Sequence, residues 1–260
     1  MSDRIKSIVH PLLLLAALLG LWLCATRWWG VPNYVLPPLE GVLAALHRGY
    51  VVGDFWGDFG FTLASMMLGY VAGCLLAFVV GVLFAEFRWL ERLLYPFVLG
   101  LQSMPKVALA PLILVWFGFG LESKAVMVGL VCFFPMFINT AVGLKSTDPA
   151  LLDLMRAFSA SRWHVLTRIK IPSAAGHIFA GLQISIVLGL IGAVVAEFVS
   201  SSQGLGYLIN ASATTLDTST MFAALFSLAV LGIAGSQLVR LLHRKLVFWD
   251  RGAHTQTLSE

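Results

Sequence analysis

Charge is what this sequence has least of. Of its 260 residues only 12% are Asp, Glu, Lys or Arg, against roughly 25% in a soluble globular domain. That shortage excludes an ordinary water-facing surface. Cysteine is nearly absent too: Cys24, Cys74 and Cys132 each stand alone in a different apolar run, with no C-x-x-C or Cys/His spacing. Neither a metal site nor a disulfide framework is expected, and the three read as small packing residues. The phosphate-binding pattern G-x-x-x-x-G-K-[ST] is missing. "GLKST" at Gly143 lacks the glycine directly before Lys145, and "GFGLES" and "GLGYLI" fail G-x-G-x-x-G at its last position. No Ser/His/Asp set and no carboxylate pair can be assembled from spacing, so neither an enzyme nor a cofactor is expected.

Apolar residues fill the space that charge leaves: 59% of the chain is in the hydrophobic set and the mean hydropathy is +0.89. They come in blocks long enough to cross a bilayer, which takes about 20 residues as a helix. Six blocks qualify: Val9 to Trp29, Phe61 to Phe84, Tyr95 to Phe117, Ala125 to Leu144, Ile178 to Val199 and Met221 to Val239. The first could pass for a signal peptide, but bulky Leu23, Trp28 and Trp29 stand where small cleavage-site residues belong, so it reads as a retained span. An all-α polytopic membrane protein of about six spans is expected, a single transmembrane domain over residues 1–260.

A net charge of +4 on a soluble surface would suggest an acidic partner; in a membrane protein its distribution over loops matters more, and no nucleic-acid partner is expected. With the spans alternating from a cytoplasmic N-terminus, only Arg27, Arg48 and Lys124 of the 17 lysines and arginines fall outside, and Lys106 lies within a span. The rest, from Arg4 and Lys6 to Arg240 and Arg251, fall inside. Both termini are expected in the cytoplasm.

Between the first two spans, Leu39, Val42, Leu43, Leu46 and Tyr50 recur at helical spacing behind a Pro-Pro start. Two readings stand, an amphipathic helix at the outer membrane interface or a helix packed on the bundle. In the second span Ser65, Gly69, Gly73, Ala77, Gly81 and Ala85 recur every fourth position, and the fifth repeats the device with Gly181, Ser185, Gly189 and Ala193. Such ridges let another helix backbone come close, and the two helices carrying them are expected at the tight centre.

One stretch breaks the apolar pattern, "DLMRAFSASRWHVLTRIKIP", Asp153 to Pro172. Asp148 and Pro149 form an N-cap and first-position pair for a short helix with Leu151, Leu152, Met155 and Phe158 on one side. A break follows at Ser159, and Ser161 can cap a second short helix with Trp163, Leu166 and Ile169 on its apolar side, until Pro172 stops it.

The order of residues here resembles the cytoplasmic loop of the permease subunits of ATP-binding-cassette importers: E-A-A, three residues, G, nine or more residues, then I-x-L-P. Asp153, Leu154 and Met155 stand at the triplet, Ser159 at the glycine and "IKIP", ending in Pro172, at the close. "SASRW", containing Ser159, Ala160, Ser161, Arg162 and Trp163, is similar to the G-A-S-R-W form of the nitrate, sulfonate and taurine branch, as are "MPKVALAPLILVWFGFG" from Met104, "VVAEF" from Val194 and "GLGYLI" from Gly204. The resemblance implies the type I importer permease fold, with residues 148–172 as the coupling loop that docks on a separate cytoplasmic ATPase subunit. It further implies a permease homodimer in the bacterial inner membrane, an extracytoplasmic solute-binding protein, and import of a small anion. If the family glycine has φ > 0, Ser159 carries strain there.

Polar residues inside spans complete the candidates. An uncompensated charge at the position of Lys106 costs at least ~2.5 kcal/mol, so Lys106 either faces the translocation path and attracts an anion, or merely snorkels or pairs with a carbonyl. Glu197 continues the small-residue ridge of its span and is either a gate or a structural ion-pair member. Gln102 and Gln183 either line the path or join helices by hydrogen bonds. The competing reading, a self-sufficient secondary transporter, needs an ion relay of which the chain offers only Lys106 and Glu197.

Overall fold

The computed structural model describes residues 2–249, which contain helices and no strand. Four helices are long and apolar enough to cross a membrane: α3 (Phe55–Glu86), α6 (Leu121–Lys145), α10 (Ala175–Ser200) and α12 (Thr218–Leu246). In α1 (Ser2–Arg27) the apolar part, Leu12–Arg27, is shorter than those four. The expected third span is not one rod. Helix α4 (Arg88–Ser103) ends where Met104 turns extended (ψ 137°) ahead of Pro105; a 3-10 turn, Lys106–Leu109, and α5 (Ala110–Phe117) follow at an angle of 86°. Pro105 is the cause, because its ring has no N–H to donate and forces the residue before it out of the helical region. Among the described residues, then, four helices meet the length and composition of a span, or five if the bent pair is one, beside the shorter apolar helix of α1.

The two ridge helices touch, the Tyr70 hydroxyl of α3 donating to the Leu182 carbonyl of α10 at 3.1 Å, but their ridges face a third helix. Both pack on α6, which lies between α3 and α10. A Cβ added at Gly73 would stand 2.5 Å from the Gly129 carbonyl oxygen and 2.6 Å from its Cα, so the backbones of α3 and α6 are in direct contact. On the other side of α6 the Ser185 hydroxyl donates to the Cys132 carbonyl at 2.9 Å, and a Cβ at Gly189 would meet the Cys132 sulfur at 2.9 Å. Gly129 and Cys132 supply the low points that receive the ridges; both sit in α6, whose own pattern of bulky neighbours hides them. Cys74 and Cys132 are buried packing residues of this core, with Met66, Ala77, Met136 and Ile186.

Helix α2 (Leu39–His47), prolonged by a π turn over Arg48–Val52, packs on α12. Val42 and Ala45 are buried there, and the Tyr50 hydroxyl donates to Ser227 Oγ at 2.8 Å. The bundle-packed reading holds, while Leu43, Val51 and Val52 remain exposed on the other side.

The polar segment between α6 and α10 folds as its caps require. Asp148 accepts from the Ala150 N–H at 2.9 Å and opens α7 (Pro149–Ala157); Ser161 accepts from the His164 N–H at 3.3 Å and opens α8 (Arg162–Val165). Helix α7 ends in a six-to-one bond, Ala160 N–H to Met155 O at 3.0 Å, and a five-to-two bond, Ser159 N–H to Arg156 O at 2.9 Å. In that motif the residue at Ser159 takes the left-handed conformation, usually as glycine, and Ser159 has φ +53°. Ser159→Gly is therefore expected to relieve about 1 kcal/mol of strain; a rise in thermal stability of the purified chain checks this, and a fall counts against it. Pro172 does not stop the second helix. The helical path continues through a π turn, Leu166–Lys170, into α9 (Ile171–Ser173) and reaches α10 one residue later. The wide turn upstream absorbs the change of register that the proline ring imposes.

Candidate functional site

A cavity of about 420 Å³ opens at the elbow between α4 and α5. The break at Pro105 delivers Gln102 and Lys106 to it; α6 supplies Val131 and Phe134, and α10 supplies Leu188, Ile191 and Gly192. Its wall is apolar apart from Lys106 and Gln102. The Lys106 ammonium lies 4.7 Å from the centre of the Phe134 ring and 3.4 Å from the Gln102 carbonyl oxygen, to which it donates. Those partners are uncharged, so the cation keeps its capacity to meet an anion. Phe134 escaped the sequence reading, since nothing marks one phenylalanine among 18 as a cation's partner. Gln183 is half-buried and does not line this cavity.

Glu197 lies elsewhere. It is 1% exposed, and its Oε2 accepts the Gly206 N–H at 2.7 Å at the start of α11 (Leu205–Thr214). Two side chains of α3 hold the adjacent amides: Asp58 Oδ1 accepts from Gly204 N–H at 2.7 Å and Thr62 Oγ1 from Leu205 N–H at 2.9 Å. Gly204 has φ +107°, and a Cβ there would sit 2.5 Å from the Glu197 carboxyl carbon. Asp58 and Thr62 were invisible to spacing, being more than 140 residues away from the amides they hold.

At the far end of the bundle, the segment 148–172 is tied to its neighbours at three points. Leu166 is buried with Leu144 and Ala174; Lys170 pairs with Glu86 of α3 at 2.5 Å, both side chains mostly buried; and the Trp249 indole N–H donates to the Pro172 carbonyl at 3.2 Å. The other face is bare. Phe158 is 76% exposed and Trp163 72%, with Leu154 and Arg162 also exposed beside them. Among the described residues Asp153 pairs with Arg156, at 2.8 Å on its own helix, and Ala160 is half-buried. Exposed aromatic side chains rimmed by arginine make the composition of a protein-binding hot spot.

Long apolar helices, an elbow-bounded cavity and one anchored segment with a bare aromatic face define a polytopic membrane protein. Residues 69–248 match the family described as the binding-protein-dependent transport system inner membrane component. The chain belongs to that family, the permease component of ATP-binding-cassette importers, in which ATP is hydrolysed by a separate subunit. It is 35% identical over 236 residues to the riboflavin transport system permease protein RibX of Chloroflexus aurantiacus, covering 91% of this chain and 88% of that one. To the putative aliphatic sulfonates transport permease protein SsuC of Bacillus subtilis it is 31% identical, covering 92% and 86%. Its fold is shared with a chain of the MetNI methionine ABC transporter in inward-facing conformations, at a TM-score of 0.55 and 18% identity, over 79% of this chain and 99% of that one.

Proposed function

We propose that this permease imports a small organic anion through a path that includes the elbow cavity, with Lys106 as the group that attracts it. The observation that carries this is an ammonium set in a wall that is apolar but for it and Gln102, held among the described residues by a ring face and a carbonyl oxygen. The similarity to a sulfonate permease supports an anion, whereas the riboflavin relative is a reason to test the charge directly. Gln102 shares the cavity; Gln183 and Glu197 have no part in binding on this reading.

The permease works as a homodimer with two ATPase subunits and receives its substrate from an extracytoplasmic binding protein. Both termini and the segment 148–172 face the cytoplasm, which places the α2 and α11 end outside. ATP binding draws the ATPases together; the segment, seated on them through Trp163, Phe158 and Arg162, shifts the helices tied to it, and the cavity changes sides. Lys106→Met is expected to lower uptake of an anionic substrate roughly tenfold, the worth of one hydrogen bond to a charged group, with unchanged amounts of assembled complex. Equal uptake by the variant counts against the anion, and transport in liposomes without any ATPase counts against the importer.

A further inference from the structure

Two helices connect the ends of this molecule. Helix α10 leaves the segment 148–172 directly, passes the cavity at Leu188, Ile191 and Gly192, and ends at Glu197 and its bond to the Gly206 amide. Helix α3 runs the other way: Asp58 and Thr62 in its first turns hold the Gly204 and Leu205 amides, and Glu86 in its last turn holds Lys170. The segment at one end and the start of α11 at the other are thus each fastened to both helices. Side chains hold three consecutive amides at the start of α11, from its N-cap Gly204 to Gly206, two of the three through carboxylates, which complement the positive end of a helix. Glycines stand at two of those positions because a Cβ at Gly204 or Gly206 would run into Glu197.

We infer that Glu197, Asp58 and Thr62 form a latch that makes α11 move with α3 and α10, so that the state of the ATPase is carried to the extracytoplasmic face through α11, with Glu197 as the positioning residue. This rests on the reading of residues 148–172 as the ATPase-coupling loop. Without the latch bonds α11 would meet α10 and α3 mainly through non-directional apolar contacts, Leu205 and Ile209 against Leu190, Val194 and Phe59, while also packing on Ala224 and Leu228 of α12. With the latch closed, a shift of either helix pulls the first turn of α11 directly. Charge-assisted bonds of this kind are short and directional, which suits a connector that must not stretch.

The test uses the whole complex, permease with its ATPase subunits, in nanodiscs. Hydrogen exchange of peptides from α11 is followed with and without ATP plus vanadate, beside the basal ATPase rate. In the unaltered complex the nucleotide should change exchange across Leu205–Thr214. In Glu197→Ala that response should fall roughly tenfold, the loss of one charge-assisted hydrogen bond, while basal ATPase stays within about twofold. Glu197→Gln keeps an acceptor oxygen and should restore the response; Thr62→Val, a milder lesion, should weaken it if Glu197→Ala does not assemble. An undiminished response in Glu197→Ala or Thr62→Val, equal failure of Glu197→Ala and Glu197→Gln, or an unresponsive α11 in the unaltered complex overturns the latch and leaves the importer reading standing. Failure of any ATPase to assemble on the permease overturns both.

Discussion

Trp163→Glu is expected to abolish ATP-driven uptake and to strip the ATPase from the purified permease. Trp163 is 72% exposed, so its removal leaves no hole in the bundle and the permease should reach the membrane in normal amount. A buried interface tryptophan is a common hot spot, worth about 2 kcal/mol or more on truncation, roughly thirtyfold in affinity; a carboxylate placed there adds an unpaired charge in the contact. The bare face has no other assignment, because Leu166, Lys170 and Pro172 already bind the opposite side of the segment to the bundle. Co-purification of the tagged permease with its ATPase is the measurement, and full recovery of the ATPase with Trp163→Glu would remove Trp163 from the docking surface.

The second large effect belongs to the core. Gly73→Val should prevent stable folding, because the nearest atoms to its new Cβ are the Gly129 carbonyl oxygen, Cα and carbonyl carbon, at 2.5, 2.6 and 3.0 Å, and backbone has no alternative rotamer. Overpacking costs about 1–3 kcal/mol where side chains can give way; here two long helices must separate, so the cost lies at or above the top of that range. Gly60→Ala is the control. It lies on the same helix with nothing near its Cβ, and alanine in place of glycine favours the helix by up to about 1 kcal/mol. Thermal unfolding in detergent should therefore fall sharply for Gly73→Val and hold or rise for Gly60→Ala; equal stability of Gly73→Val and the parent would contradict the close packing of α3 on α6.

What the sequence made legible was what is local. Asp148 and Ser161 cap the helices their spacing announces, and Ser159 breaks them where the pattern requires a left-handed residue. The ridges on α3 and α10 were readable as ridges, since period four is written in small residues. Their shared partner was not, because Gly129 and Cys132 are two isolated positions among bulky ones in α6. The elbow was hidden in a different way. Pro105 was plain, but the apolar count over Tyr95 to Phe117 satisfies a straight span equally well; the proline breaks the helix, and the packing of α5 on α6 holds the two parts at their angle. Lys124 counted as a loop lysine, yet the structure buries it fully in the first turn of α6, donating to the Phe119 carbonyl at 2.7 Å. The charge assigned to Arg251 lies outside the described residues. At Glu197 the sequence pointed to a neighbouring helix, and among its neighbours is the backbone at the start of α11, whose Gly206 N–H it accepts.

The bond from Trp249 to the Pro172 carbonyl sets a practical rule for anyone handling this permease. A purification tag, fluorophore or fusion partner joined just after Trp249 starts within one side chain's reach of the segment whose other face bears Trp163. If that segment is the docking surface proposed above, labels placed there would crowd the partner, and assays of assembly are better built with the label in the exposed loop between α1 and α2, around Asn33 to Val35, at the other end of the bundle.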